Sequence, residues 1–269
     1  MQLELTDHVA LVVGGASGIG LATARSFAAE GAQVALWDRS ATVSSIAQQL
    51  SQEFSVPSIG LITDITDEHS VASAMRATLD TWGHVDHFVS AAAIGSGKFG
   101  FPFTKLTPND WRHVLEVNVM GMTNVAHAMT PHMIERNSGT MVFVASVAGQ
   151  IGSQTDPPYS ASKAANINFA QCMAKDLAAS GIRVNCVSPG MVQTPLNRSV
   201  WQAWNDQSPF ENRLDYEDWA MRKIRAIVPL GKWQTVDAIA DMIVFLSSAR
   251  AAHVTGQTIN VDGGLVMHS

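Results

Sequence analysis

The chain is poor in charge, in cysteine and in tyrosine. Only 15% of its 269 residues are Asp, Glu, Lys or Arg, against 46% hydrophobic. That leaves few charges to solvate a large free surface and fits buried subunit interfaces. Two cysteines, Cys172 and Cys186, are too few for a disulfide framework and are read as free buried thiols. No apolar run reaches the ~18 residues of a membrane span. There is no basic cluster and the formal net charge is −6, which argues against nucleic acid as a partner. Nine histidines show no metal-ligand spacing, so no metal is expected. The opening Met1-Gln2-Leu3-Glu4-Leu5-Thr6-Asp7 lacks the basic and apolar regions of a signal peptide, and the expected location is cytoplasmic.

What is present is rhythm. Strand-like runs at 9–13, 33–37, 56–62, 85–90, 140–145, 182–187 and 258–261 alternate with helical patterns near 18–30, 42–53, 67–82, 108–136, 158–180 and 235–248. Such alternation predicts an α/β fold, a parallel sheet with helices on both faces. The length suits one domain with an ample core, and no linker divides residues 1–269. Ligands of such sheets bind beyond the carboxyl ends of the strands. Ser90, Ser146 and Pro189 follow strand ends and are expected to converge on one cleft.

The first strand runs into Gly14-Gly15-Ala16-Ser17-Gly18-Ile19-Gly20, and an apolar-striped helix follows, stopped by Gly31. Strand, glycine turn and helix can hold a pyrophosphate on backbone N–H groups and a helix N-terminus. The glycines leave room for the turn and for the phosphate. A tight connection alone is the plainer reading of such a turn. The second strand ends at Asp38, 18 residues beyond Gly20. An acid there can accept both hydroxyls of an adenosine ribose and repel a 2′-phosphate, which favours NAD over NADP. Arg39 is adjacent and could instead accept that phosphate, whereas Ser17 in the turn offers it no cation. A solvated loop acid is the simpler account of Asp38.

Tyr159 and Lys163 stand four apart in Tyr159-Ser160-Ala161-Ser162-Lys163. On a helix they share a face. An ammonium beside a phenol stabilises the phenolate, so the phenol is expected to fall from its ordinary pKa of about 10. A phenol tuned in that way can give or take a proton in alcohol or ketone chemistry. The same spacing is also common on solvated helix faces.

Taken in order, these motifs resemble the short-chain dehydrogenase/reductase family over nearly the whole chain. The resemblance implies a Rossmann-type doubly wound sheet of about seven strands, a nicotinamide dinucleotide and a Tyr general acid/base. Gly14, Ser17, Gly18, Ile19 and Gly20 resemble the cofactor loop, with Asp38 and Arg39 at the adenosine ribose. Asp64 matches the acid beside the adenine ring, with Ile65, Ala91 and Ala92 along the same wall. Asn118 matches the helix asparagine that holds a water in the proton relay. Ser146, thirteen residues before Tyr159, matches the serine that hydrogen-bonds the substrate oxygen. Tyr159 and Lys163 match the acid/base and its partner, with Lys163 on the nicotinamide ribose. Pro189-Gly190, Val192 and Thr194 match the loop that holds the carboxamide. Val261-Asp262-Gly263-Gly264 matches the closing signature. Two departures stand out. Val13 replaces the family's threonine, and Ser90-Ala91-Ala92-Ala93 replaces Asn-Asn-Ala-Gly. The replacements are small, so access to the cofactor is expected to survive. Homotetrameric assembly is a further implication of the family.

Residues 195–228 break the rhythm with an insertion that carries Trp201, Trp204, Phe210, Tyr216 and Trp219. These aromatics could anchor a helical pair to the body, or form a lid over the substrate. Asn197, Arg198, Trp201 and Trp204 are the candidate substrate contacts here, and Arg198 or Arg213 could pair with an anionic group. Gln150, Gln154 and Asp156 form a polar wall between Ser146 and Tyr159 that suits a polyhydroxylated substrate. The expected activity is NAD-dependent interconversion of a secondary alcohol and a ketone, or of a lactol and a lactone, on a sugar, polyol or related hydroxy compound. The alternatives are a 3-oxoacyl thioester reductase and, more remotely, a nicotinamide-binding sensor without catalysis.

Overall fold

A computed structural model of the chain describes residues 3–153 and 155–267. Seven strands form one parallel sheet: β1 (Val9–Val13), β2 (Gln33–Asp38), β3 (Ser58–Ile62), β4 (His87–Ser90), β5 (Gly139–Val144), β6 (Ile182–Pro189) and β7 (Thr258–Val261). Their order is β3-β2-β1-β4-β5-β6-β7. Parallel strands are buried on both faces and need continuous apolar runs. Val9-Ala10-Leu11-Val12-Val13 is such a run, and none of it is more than 1% exposed.

The helices are α1 (Gly18–Ala29), α2 (Val43–Phe54), α3 (Glu68–Trp82), α4 (Pro108–Leu115), α5 (Met122–Arg136), α6 (Pro157–Leu177), α7 (Pro195–Gln207), α8 (Tyr216–Ile227) and α9 (Val236–Ser247). One face of the sheet packs Val12, Leu36 and Val142 against Phe27 of α1, Leu50 of α2 and Ile243 of α9. The other packs Leu11, Phe88 and Phe143 against Met75 of α3, Met129 of α5 and Met173 of α6. The doubly wound architecture is therefore as expected. The chain passes from β1 outward to β3, then crosses back to β4 on the other side of β1. Between β1 and β4 the winding reverses, and open α/β sheets form their binding crevice at such a point.

The one helix expected over 108–136 is instead three pieces. Between α4 and α5 a π-helical turn, Glu116–Gly121, carries Asn118. Single π turns recur at functional sites because the extra residue re-aims the side chains around it. The 195–228 insertion forms α7 and α8. Thr194 caps α7 by accepting from the Asn197 N–H, with Pro195 in the first turn, and Asp215 caps α8.

Candidate active site

The end of the crevice at β1 and α1 is built by backbone that tolerates no side chain at Gly14 and Gly20. Gly14 has φ +78°, and a Cβ there would lie 2.6 Å from the Ala92 nitrogen. A Cβ on Gly20 would lie 2.1 Å from the Gly14 carbonyl oxygen. The glycines thus let the turn close on α1 and on the segment after β4. Ser17, extended at φ −158°, starts α1 without a side-chain cap, and no acid occupies the first turn. The first N–H groups of that helix lack intrahelical partners and carry the positive end of its dipole.

Asp38 closes β2 and is already occupied. Its Oδ2 accepts from the Ala16 N–H at 3.0 Å and its Oδ1 from the Ser40 N–H at 2.9 Å. It braces the glycine turn while facing the cleft. Asp64 accepts from the Thr66 hydroxyl and N–H, which hold its carboxyl below the usual range with help from Arg39. These groups, with Gly14, Ser17, Gly18, Ile19, Gly20, Arg39, Ile65, Ala91 and Ala92, line one wall of a cleft of about 730 Å³. That is the size of a cofactor or drug-sized pocket. Pro189, Gly190, Val192 and Thr194 line it beyond β6.

Ser146, Tyr159 and Lys163 line the same cleft. Ser146 follows β5, and α6 places Tyr159 and Lys163 on one face. The Lys163 ammonium is 2% exposed and donates to the Val144 carbonyl at 2.7 Å. It lies 5.5 Å from the centroid of the Tyr159 ring. Burial pushes Lys163 down to about 8. Tyr159 does not fall as the spacing suggested. Burial pushes it up to about 12, the Ser146 hydroxyl pulls it down, and the Asp156 carboxylate pushes it up again. The cost of a desolvated phenolate sets the direction.

Several expected contacts lie elsewhere. Asn118 is 1% exposed and sits behind the cleft wall. Its Oδ1 accepts from the Ile94 N–H, and its Nδ2 donates to the Ile94 carbonyl and the Ser162 hydroxyl. Both amide protons are committed, so the side chain braces the segment after β4 instead of offering a donor to a relay water. Gln150 is turned from the cleft: its amide bonds Asn260 in both directions and also donates to Ser188. Trp201 donates to the Leu214 carbonyl, and Trp204 packs on Trp219. Both belong to a small cluster with Tyr216 and Ala220, so they anchor the helical pair and do not present faces to a substrate. Arg198 lies over the Tyr216 ring, 4.3 Å from its centroid. Of the expected contacts in the insertion, Asn197 lines the cleft, its Oδ1 accepting from the Tyr216 hydroxyl. Gln154 lies outside the described residues.

Two further charged groups line the cleft, Asp156, expected in the polar wall, and Lys223, which the sequence reading missed. Asp156 is 4% exposed; its Oδ2 accepts from the Ser96 N–H and its Oδ1 has no hydrogen-bond partner. Burial holds its carboxyl above the usual range. Lys223 of α8 also lines the cleft, with its ammonium over the Trp219 ring. Its sequence signal was the i, i+4, i+8 row Trp219, Lys223, Ile227. Apolar walls come from Phe99, Ile151, Val200 and Leu265.

Residues 14–266 match the family model described as enoyl-(acyl carrier protein) reductase. The chain is 31% identical to the 3-oxoacyl-(acyl-carrier-protein) reductase of Thermotoga maritima, over 98% of this chain and 100% of that protein. It is 34% identical to the cis-4-hydroxycyclohexanecarboxylate dehydrogenase of Sinomonas cyclohexanicum, over 98% of each. Its structure superposes on L-sorbose reductase from Gluconobacter frateurii, solved with NADPH and L-sorbose, with a TM-score of 0.91, 27% identity and full coverage of both chains.

Proposed function

The chain belongs to the short-chain dehydrogenase/reductase family, and from that premise we propose that it interconverts a secondary alcohol and a ketone of a small polar substrate, with NAD as cofactor. The observation that carries this is the meeting of Ser146, Tyr159 and Lys163 in one cleft with the glycine turn. A nicotinamide dinucleotide suits that cleft: glycines stand where a Cβ would fill the turn, and Asp38 stands at the ribose end of β2. When bound, it supplies or takes the hydride. The Tyr159 hydroxyl gives the proton in reduction and takes it in oxidation. Ser146 orients the substrate oxygen beside that hydroxyl. Lys163 spends one bond on the Val144 carbonyl, which fixes the ammonium and leaves donors for a ribose hydroxyl. Asn118 acts as a positioning residue through Ile94 and Ser162.

Asp38 favours NAD, since a carboxylate repels a 2′-phosphate. L-sorbose reductase, solved with NADPH, shows that the fold accommodates the phosphorylated cofactor, so the preference of this chain rests on Asp38 against Arg39. A sugar, polyol or related hydroxy compound is the first substrate class. The 3-oxoacyl thioester reading is the second, favoured by the apolar walls at Phe99, Ile151, Val200 and Leu265. Homotetrameric assembly in the cytoplasm belongs to the same proposal. Met120 and Ile134, 55% and 42% exposed along 108–136, supply apolar surface for it, and light scattering on the purified protein would read the number.

The test is Tyr159→Phe. Turnover should fall by about 10²–10⁴ while dinucleotide binding is kept. Near-wild-type turnover in that variant would sink the assignment. A panel of polyols, sugars and 3-hydroxyacyl thioesters with each cofactor separates the two substrate readings.

A further inference from the structure

We propose that Lys223 is the anion site of the substrate pocket, so that the substrate carries a carboxylate at a distance from its reacting hydroxyl or ketone. This rests on the alcohol–ketone reading above and narrows its substrate class.

Lys223 lies on α8, in the insertion, and lines the cleft that holds Ser146 and Tyr159. Trp219, Lys223 and Ile227 share one face of α8. Trp219 is buried at 3% exposure, and the Lys223 ammonium stands 4.7 Å from its ring centroid. The aromatic cluster therefore fixes the lysine stem from beneath. No carboxylate pairs with Lys223 in any ion pair among the described residues. Burial holds its pKa below the ordinary lysine value. A lysine drawn partly out of water with no carboxylate beside it costs stability, and a ligand carboxylate would offset that cost.

The other cations are committed or distant. Arg198 lies over Tyr216, and Arg213 donates to the Ser208 carbonyl. Lys163 is bonded to Val144, and Arg39 stands beyond β2 at the nucleotide end. Apolar residues of the same cleft, Phe99, Ile151, Val200 and Leu265, lower the local polarity, which strengthens the attraction of a half-buried ammonium for an anion. They also suit a hydrocarbon body between the reacting carbon and the charge.

The experiment uses matched pairs of hydroxycarboxylic acids and their carboxamides, on linear and cyclic scaffolds, with wild type, Lys223→Met and Lys223→Arg. The wild type should prefer acid to amide by at least about tenfold in kcat/KM, carried by KM, since a hydrogen bond to a charged group is worth that much. Lys223→Met should collapse the ratio to about twofold or less, and Lys223→Arg should keep most of it. A wild type that handles amides as well as acids, or an unchanged ratio in Lys223→Met, overturns the proposal. Turnover of neutral polyols alone would do the same while leaving the alcohol–ketone reading intact, and no turnover of any alcohol would remove both. A hydroxyalkyl phosphate in the panel, if preferred with the same dependence on Lys223, would replace the carboxylate by a phosphate and overturn that part.

Discussion

A single methyl group at position 20 should separate the nucleotide turn from its helix. In Gly20→Ala the new Cβ would stand 2.1 Å from the Gly14 carbonyl oxygen and 2.8 Å from its carbon. Ordinary contact is about 3.5 Å or more, so the two must move apart by over an ångström. The turn has nowhere to go. Gly14 and Gly15 both donate to the Trp37 carbonyl, at 2.8 and 3.3 Å. Behind Gly14 lies Ala92, close enough that even a Cβ on Gly14 would reach its nitrogen at 2.6 Å. The displacement therefore falls on α1, whose Ala22, Ala24, Phe27 and Ala28 are buried. Overpacking of this kind costs about 1–3 kcal/mol. A shift of about 1 Å in the N–H groups proposed to hold the pyrophosphate is expected to weaken dinucleotide binding by about tenfold to a hundredfold. Urea unfolding and cofactor titration by fluorescence would read the two effects. Gly152→Ala is the control, because nothing lies within 4 Å of its Cβ position. A Gly20→Ala protein that binds cofactor within twofold of wild type, with an unchanged midpoint, would refute the account of the turn.

Asp38→Ala should weaken NAD by about tenfold to a hundredfold, the loss expected for charged hydrogen bonds, and should relax discrimination against NADP. An unchanged ratio of kcat/KM for the two cofactors would assign the preference to Arg39. Asp156→Asn removes a charge that raises Tyr159, while an amide oxygen can still accept from the Ser96 N–H. The Tyr159 pKa should fall, so the alkaline rise of alcohol oxidation should move to lower pH; a profile that stays in place would show that the two groups do not interact. His87 accepts or donates with His8 at 2.8 Å and Thr140 at 2.7 Å, and burial holds it down to about 3. The unfolded chain takes up that proton near its ordinary pKa of about 6.5 and the folded one does not. Stability should thus be full above that pH and fall on acidification towards 3, by at most about 1.4 kcal/mol per pH unit. The decline measured by urea unfolding should be shallower in His87→Gln, and equal slopes would count against a neutral buried His87.

The parts legible in the sequence were those set by short separations. Strand, turn and helix over 9–29 follow from local pattern. Tyr159 and Lys163 share a face because four residues make about one turn. The absence of both family side chains at Val13 and Ser90 also made local sense, since these residues face each other in the β1–β4 register. What was hidden depended on distant partners. Gln150 is held by Asn260, 110 residues away, so of the polar wall read from the loop Gln150 turns away while Asp156 reaches the cleft. Trp201 and Trp204 satisfy each other's neighbourhood instead of a ligand's. The direction of the Tyr159 shift is a matter of desolvation, which no i, i+4 spacing reports. The π turn at Asn118 interrupts a helix whose apolar pattern runs on regardless.

The division between core and insertion carries a consequence for how this site works. The proposed acid/base set stands on elements packed against the sheet: Lys163 bonds to the end of β5, and Asn118 ties the segment after β4 to α6 through Ser162. Groups held this way keep their geometry, as proton transfer requires. The insertion has its own aromatic cluster, apart from the two cores that flank the sheet. Among its links to the reacting end, Gln207 donates to the Phe99 carbonyl at 3.0 Å. Substitutions that face the cleft from α7 and α8 can then change what is bound without disturbing how it reacts. Pro195, Leu196, Asn197, Val200, Lys223 and Ile227 are those positions, and variation there should appear in KM and substrate choice, while variation at Tyr159 or Lys163 should appear in kcat.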